Sequence, residues 1–488
     1  MDALSLIKSN NVVKNSSVLM LGTLISQLVV ILVSPILTRM YSPEDFGVFS
    51  VYVAIVTFFT VISNLRYELA IPISKSLTVT LSIAKLSLLL MSLFSVLLGL
   101  LLYASNGYFL ELMNSSALHD FFWLLPVGVF FGGIYSLFSF WSLKKNNFLQ
   151  LAVSRALKGA FMAGFQVIFG LFSFNFLGMI LGHVLGFFVA TFFLLKNSIR
   201  SHIFAITGIK KNIIKNTAIR YKKFPKYSTF SEAMAVLGSQ FPVIILASFF
   251  SIGVSGFYML ASRVISAPVA LVAEAIGKAF LIESIDNDSH KLKKTVFTVY
   301  SMLLKISLGP FLTFAIVAPN VFIVVFGDQW IDSGLYAQAM IPWILAVFIF
   351  VPMMQLYITL EQQDIELRFQ VIILISRLSG ILIGAYLGDV MTAIVLYSFF
   401  AFASYAACGL WIIKKSGVNM KALVLHSFKE IMLVIIIVLP LFVIKTLYFS
   451  VENLPLSQHL ILFLISIFFI GLFVYRSKNS ISYVRKKL

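Results

Sequence analysis

Charge is scarce in this chain: only 11% of its 488 residues are Asp, Glu, Lys or Arg, against 60% apolar and 15% aromatic. A soluble domain carries about a quarter of its residues as charge, so a soluble globular protein is excluded. Cysteine is nearly absent. The lone Cys408 forms no intrachain disulfide and reads as a small apolar filler rather than a redox centre. Histidine is thin and dispersed: the six, at 119, 183, 202, 290, 426 and 459, are never closer than nineteen positions, which leaves no local metal-ligand spacing. No GxxxxGK[ST] loop and no HExxH helix occurs, so ATP-driven and metal-site readings have no sequence support. Acid is the scarcer charge, 19 residues against 37 Lys and Arg.

What the chain has in plenty is long apolar runs. Each is near 20 residues, enough to cross about 30 Å of hydrocarbon as a helix, and such runs exclude the weak alternating pattern of a membrane β-barrel. The spans fall at about 17–38, 46–64, 82–103, 121–143, 152–172, 174–195, 229–251, 254–274, 296–318, 338–359, 368–388, 390–413, 429–449 and 460–475. The expected fold is therefore an all-α integral membrane protein with 14 transmembrane helices. The first run follows Lys8 and Lys14, lacks a small-residue cleavage site, and reads as an uncleaved span capped by Ser16 or Ser17.

Placing the N-terminus in the cytoplasm collects most Lys and Arg on that side and leaves only Arg39 in the outer connections. Glu44, Asp45, Glu111, Asp120, Asp328, Asp332, Asp389 and Glu452 all fall outside. The net charge of +18 then reports topology and adhesion to anionic membrane lipids, and no nucleic-acid partner is expected. Residues 196–228 form one long basic connection with nine Lys and Arg and no Asp or Glu. Ile206, Ile209 and Ile213 recur beside Lys210, Lys211 and Lys215, the pattern of a surface-lying amphipathic helix, with a solvated basic linker as the plainer alternative.

The halves look related. "LISQLVVIL" (25–33) resembles "LGSQFPVIIL" (237–246), "FGVFSVYVAI" (46–55) resembles "SGFYMLASRVI" (255–265), and "VSRALKGA" (153–160) resembles "ISRLSGI" (375–381). Pro126 is read as opening the fourth span as Pro342 opens the tenth. Six spans separate equivalent helices, so both copies enter from the same side, as pseudo-symmetric six-helix lobes related by an axis along the membrane normal. The expected organisation is a lobe over 1–195, the linker over 196–228, a second lobe over 229–415, and two extra helices with a basic tail over 416–488. A cavity between two lobes serves alternating access, which makes transport the leading function. "GMILGHVLG" (178–186) and "GILIGAYLG" (380–388) place small residues every fourth position, as close helix contacts require.

A cation near the bilayer centre costs about 2.5 kcal/mol or more, so embedded basic residues need a reason. Arg39, Lys85, Arg155, Lys158 and Lys445 lie near helix ends and can snorkel to the interface. Arg263, Lys305 and Arg377 lie deeper, with no acid three or four positions away on the same helix. The embedded acids are Glu68, Glu274 and Asp389, so cations outnumber anions. A wet cleft with surplus positive charge favours an anionic ligand, and guanidinium forks match phosphate oxygens. Arg155 and Lys158, three apart, repel unless an anion bridges them. The expected substrate-binding set is Arg39, Arg66, Arg155, Lys158, Arg263, Lys305 and Arg377. Arg66 and Glu68, two apart near a helix end, do not share a helix face, so each is expected to find a partner elsewhere. Interfacial anchoring before Pro72 is the alternative for this pair. Glu68, Glu274 and His183 are candidates for gating or coupling, although a packing role is the plainer reading of His183.

With "PILTRMYSPEDFGVFSVY" (35–52), "RYELAIP" (66–72) and fourteen spans in a six-plus-six repeat, the chain resembles the polysaccharide-transport branch of the multidrug/oligosaccharidyl-lipid/polysaccharide (MOP) exporter superfamily, and Wzx-type O-antigen flippases in particular. That resemblance implies a MATE-like fold. It implies a non-enzymatic flippase that moves an undecaprenyl-pyrophosphate-linked oligosaccharide to the outer leaflet of a bacterial inner membrane. No cofactor is expected; without an ATP-binding loop, energy is expected from a gradient, with H+ or Na+ as candidate coupling ions, or from the substrate itself, and other surface-polysaccharide assembly proteins are candidate partners. A lipid II flippase and a MATE-type ion-coupled exporter share the fold and are the competing readings.

Overall fold

The structure, a computed structural model, describes residues 10–198, 208–285, 289–449 and 455–487. Every long element among them is helical. In chain order these are α1 (Asn10–Met40), α2 (Pro43–Ser63), α3 (Leu77–Ala104), α4 (Leu124–Lys144), α5 (Phe148–Leu171), α6 (Asn175–Ser198), α7 (Lys211–Arg220), α8 (Thr229–Phe249), α9 (Ile252–Ile285), α10 (Ser289–Phe326), α11 (Ile331–Met353), α12 (Gln363–Tyr386), α13 (Val390–Lys415), α14 (Met420–Tyr448) and α15 (Leu456–Lys487). Thirteen described helices are long and apolar enough to cross a membrane. The remaining expected span falls on α9, whose described apolar stretch is Ile252–Ser266.

Several boundaries differ from expectation for local reasons. α1 already runs through Ser16 and Ser17, so neither serine caps it. Pro126 does lie in the first turn of α4. Pro342, by contrast, sits inside α11, which opens at Ile331 after the turn Asp328–Trp330. α14 begins at Met420, well before the expected 429, because the Asn419 side chain accepts from the amides of Lys421 and Ala422 and caps the helix there.

The "YSPEDFGVF" stretch builds a sharp corner between α1 and α2. Ser42 Oγ accepts from the Asp45 amide at 3.2 Å, Asp45 Oδ2 accepts from the Ser42 amide at 3.0 Å, and Pro43 occupies the first turn. This reciprocal cap satisfies amides that would otherwise be orphaned. Tyr41 OH donates to the Gln166 carbonyl at 2.6 Å and ties the corner to α5.

The chain forms two compact units that meet in sequence at Met259 and Leu260. In the first, α5 packs on α1 and α6, α4 on α2, α3 and α6, and α8 on α2. In the second, α10 packs on α11, α14 and α15, and α13 on α11 and α12. The pairs α3·α4, α4·α6 and α5·α6 have counterparts in α10·α11, α11·α13 and α12·α13, the equivalent helices of the internal repeat. The glycine-spaced segments sit at such contacts: a methyl group on Gly384 would overlap Ala393, and one on Gly182 would come 2.9 Å from the Gln166 amide.

Within the first unit, α2 crosses the start of α9 at backbone contact. Ser50 Oγ donates to Ser255 Oγ at 3.2 Å, and a methyl on Gly256 would overlap the Pro43 carbonyl oxygen. Because the obstacle is backbone, Gly256→Ala is expected to cost about 1–3 kcal/mol, read as a lower unfolding midpoint in detergent. Gly164→Ala, inside α5 with nothing within 4 Å of the added methyl, should not lower the midpoint.

Candidate functional site

The "SNLRYELAIP" stretch does not continue α2. The helix ends at Ser63, and Leu65 and Arg66 take left-handed backbone conformations (φ 49° and 57°) before a single 3₁₀ turn over Tyr67–Ala70. Two consecutive non-glycine residues in this region are costly and mark a site held by its surroundings. The turn corrects the expectation for the pair: off the helix, two-residue spacing no longer separates the side chains. Arg66 Nη1 lies 3.7 Å from Glu68 Oε1, and Nη2 lies 3.4 Å from Glu232 Oε2 on α8.

Glu68 is 1% exposed and accepts from Ser136 Oγ of α4 at 3.4 Å. Its Oε2, Arg66 Nε and both polar side-chain atoms of Asn64 are buried and make no hydrogen bond to a described residue. Burial pushes the Glu68 carboxyl up to about 7, with Arg66 and the Ser136 hydrogen bond opposing that rise. Between the ordinary value of 4.5 and about 7, the folded protein therefore holds a proton that the unfolded chain has released. Stability falls as pH rises through that window. Glu68→Gln is expected to flatten the pH dependence of the unfolding midpoint there, as thermal unfolding across a pH series would show.

Arg39, in the last turn of α1, donates through Nη1 to the Pro35 carbonyl at 2.6 Å. Arg155 and Lys158 leave α5 toward different neighbours. Arg155 Nη1 donates to Thr23 Oγ1 of α1 at 2.8 Å, whereas Lys158 Nζ lies 5.2 Å from the Tyr135 ring centre and 4.7 Å from that of Phe187. His183 packs edge-on against Phe49, Tyr52 and Phe187, with ring centres 5.9, 5.6 and 5.0 Å away. Lys158 and His183 thus share the Phe187 ring.

In the second unit the deep cations have separate surroundings. Arg377 on α12 is buried between aromatic rings, 5.2 Å from Trp343 and 5.1 Å from Tyr397, and donates from Nε to Tyr397 OH at 3.1 Å. Arg263 Nη1 on α9 is buried without a hydrogen bond to a described residue. The Glu274 side chain lies outside the described residues.

Lys305 departs from expectation. Its Nζ lies 3.6 Å from Glu430 Oε1, and Arg476 Nη2 lies 2.7 Å from Glu430 Oε2. One largely buried carboxylate on α14 thus holds cations from α10 and α15, and a lysine expected to face substrate is already paired. Glu430, Arg476 and Glu232 were not among the expected site residues. The readable signal for Glu430 was Asn419: a helix capped there places Glu430 three turns inside, not at its end.

A bundle of this kind defines a fold seen in transporters. The structure matches the lipid II flippase MurJ in its inward closed conformation at a TM-score of 0.66 and 14% identity, covering 94% of this chain and 98% of that one. It matches an inward-facing MATE-family multidrug resistance transporter of the MOP superfamily at 0.63 and 13%, covering 81% and 94%. An outward-facing MATE-family transporter matches at 0.52 and 13%, covering 86% and 98%. The protein therefore has the fold of MOP-superfamily transporters. Residues 36–335 match the family described as "Polysaccharide biosynthesis protein", and the chain belongs to that family. A comparison with curated proteins finds no match.

Proposed function

We propose that this protein is a flippase. It moves an undecaprenyl-pyrophosphate-linked oligosaccharide, the repeat unit of an O-antigen or related surface polysaccharide, from the cytoplasmic to the periplasmic leaflet of a bacterial inner membrane. Both termini face the cytoplasm in this reading. One observation carries it: Arg155, Lys158 and Arg263 stand on helices of the membrane bundle with no carboxylate in ion-pair contact among the described residues. Cations held this way are compensated by an anionic ligand, and a pyrophosphate headgroup supplies both the charge and the planar oxygen pairs that guanidinium recognises. Family membership supports a glycan-bearing cargo.

Transport then needs no bond broken. The headgroup binds at these cations, the lipid tail stays in hydrocarbon, and alternating access exposes the glycan on the other side. Glu68, buried beside Arg66 and bonded to Ser136, is the candidate coupling carboxylate, with H+ or Na+ as the driving ion. The deciding experiment reconstitutes the purified protein in vesicles and follows a pyrophosphoryl-polyprenyl oligosaccharide between leaflets, with and without imposed H+ or Na+ gradients. Gradient-dependent movement is the expected result. Efflux of cationic drugs without lipid movement would show a drug exporter instead. Depletion in cells separates the lipid II reading: death indicates lipid II, and viable cells lacking surface polysaccharide indicate the function proposed here.

A further inference from the structure

The connection after α6 has two unlike faces. On α7, Ile213, Ile214, Thr217 and Ala218 point inward, and three hydrogen bonds fix the segment to the α2–α3 region. Ser82 Oγ donates to Thr217 Oγ1 at 3.1 Å, Lys85 Nζ to the Ile209 carbonyl at 3.0 Å, and Tyr67 OH to the Ala218 carbonyl at 3.2 Å. Ser82 and Lys85 lie within the first turns of a membrane-spanning helix, so α7 is held where that helix enters the lipid.

The other face is exposed and basic. Lys210, Lys211, Lys215, Arg220, Lys222, Lys223 and Lys226 are all exposed, and residues 196–228 contain no acid to neutralise them. Ile219 stands open among them, 55% exposed, and Tyr227 and Phe230, 60% and 68% exposed, follow at the start of the candidate membrane span Phe224–Phe249. Solvent alone gives no reason for Ile219 to be open beside seven cations. An anionic bilayer surface does, because cations meet headgroup phosphates while the apolar side chains enter the acyl boundary.

We propose that residues 208–230 form a docking surface for anionic phospholipid headgroups. Lipid engagement of its outer face holds the Tyr67–Ala218 contact and, through it, the Arg66–Glu68 turn. Lipid composition thus regulates the turn from outside the transport route. The inference goes beyond the transport reading and holds whatever the cargo.

The buried Cys408 makes a direct test practical. In full-length protein carrying Cys408→Ala and Ile219→Cys, a polarity-sensitive fluorophore at position 219 is read in vesicles of phosphatidylcholine alone and with phosphatidylglycerol added. The expected result is a blue shift in the anionic vesicles that high salt reverses. Adding Lys211→Gln, Lys215→Gln and Arg220→Gln should weaken the response about fivefold per charge removed. The same label placed by Tyr386→Cys, 88% exposed at the C-terminal end of α12 and with no basic run beside it, should show no salt-reversible shift. Identical spectra at 219 in both vesicle types, or an undiminished shift in the triple Gln variant, would overturn the proposal. Because the readout is fluorescence, its failure leaves the transport reading standing.

Discussion

Arg66→Gln is expected to slow lipid movement in reconstituted vesicles roughly ten- to hundredfold while protein abundance in the membrane stays at the level of the parent chain. The reason lies in how Glu68 responds. With the guanidinium 3.7 Å away removed, the buried carboxyl takes up a proton instead of remaining an unpaired buried charge, so the fold loses little. Function loses more. On the proposed reading, Arg66 leaves Glu232 to meet a phosphate oxygen of the headgroup; a charge-assisted contact of that kind contributes about 1.5–3 kcal/mol, which corresponds to roughly a ten- to hundredfold loss of transport. The left-handed backbone at Arg66 tolerates Gln about as well as Arg, so backbone strain does not confuse the outcome. Parallel loss of abundance and transport would show instead that Arg66 and Glu68 anchor the helix end.

Glu430→Ala should act in the opposite way, on stability before transport. It leaves Lys305 and Arg476 without the carboxylate they share, and removing one partner of a buried ion pair costs about 3–5 kcal/mol. Both cations are about one-third exposed, at 34% and 32%, so the loss should fall near or below the lower bound. It would register as a lower unfolding midpoint and as faster proteolysis of α15, which the Arg476 bridge ties to α14. Lys305→Met alone should be mild, because Arg476 at 2.7 Å still satisfies Glu430. An unchanged midpoint in Glu430→Ala would mean that the triad contributes nothing measurable.

The bundle was readable from sequence because hydropathy over 20 residues is a local property, as in Leu77–Ala104 or Val390–Lys415, whose boundaries stand close to expectation. The Lys305–Glu430–Arg476 triad was not, because its members come from three helices far apart in the chain, and nothing local tells which carboxylate faces which cation. Arg66 and Glu68 failed for a different reason. Their spacing was judged as helical, whereas the chain had already left the helix at Asn64, a residue type that favours such exits. The aromatic surroundings of Lys158 and Arg377 were likewise hidden among 49 Phe and 18 Tyr that composition alone cannot sort.

At 38 residues, α10 is about 57 Å long, nearly twice the thickness of the hydrocarbon it crosses. Its first turns expose His290, Lys291, Lys293 and Lys294 and bury Leu292, Thr295 and Val296, so the extra length is a basic end packed on one side. Pro310 and Pro319 concentrate bending in the opposite, apolar half. A bend at either proline would tilt the two halves of this rod against each other, so α10 links the apolar half to the basic end.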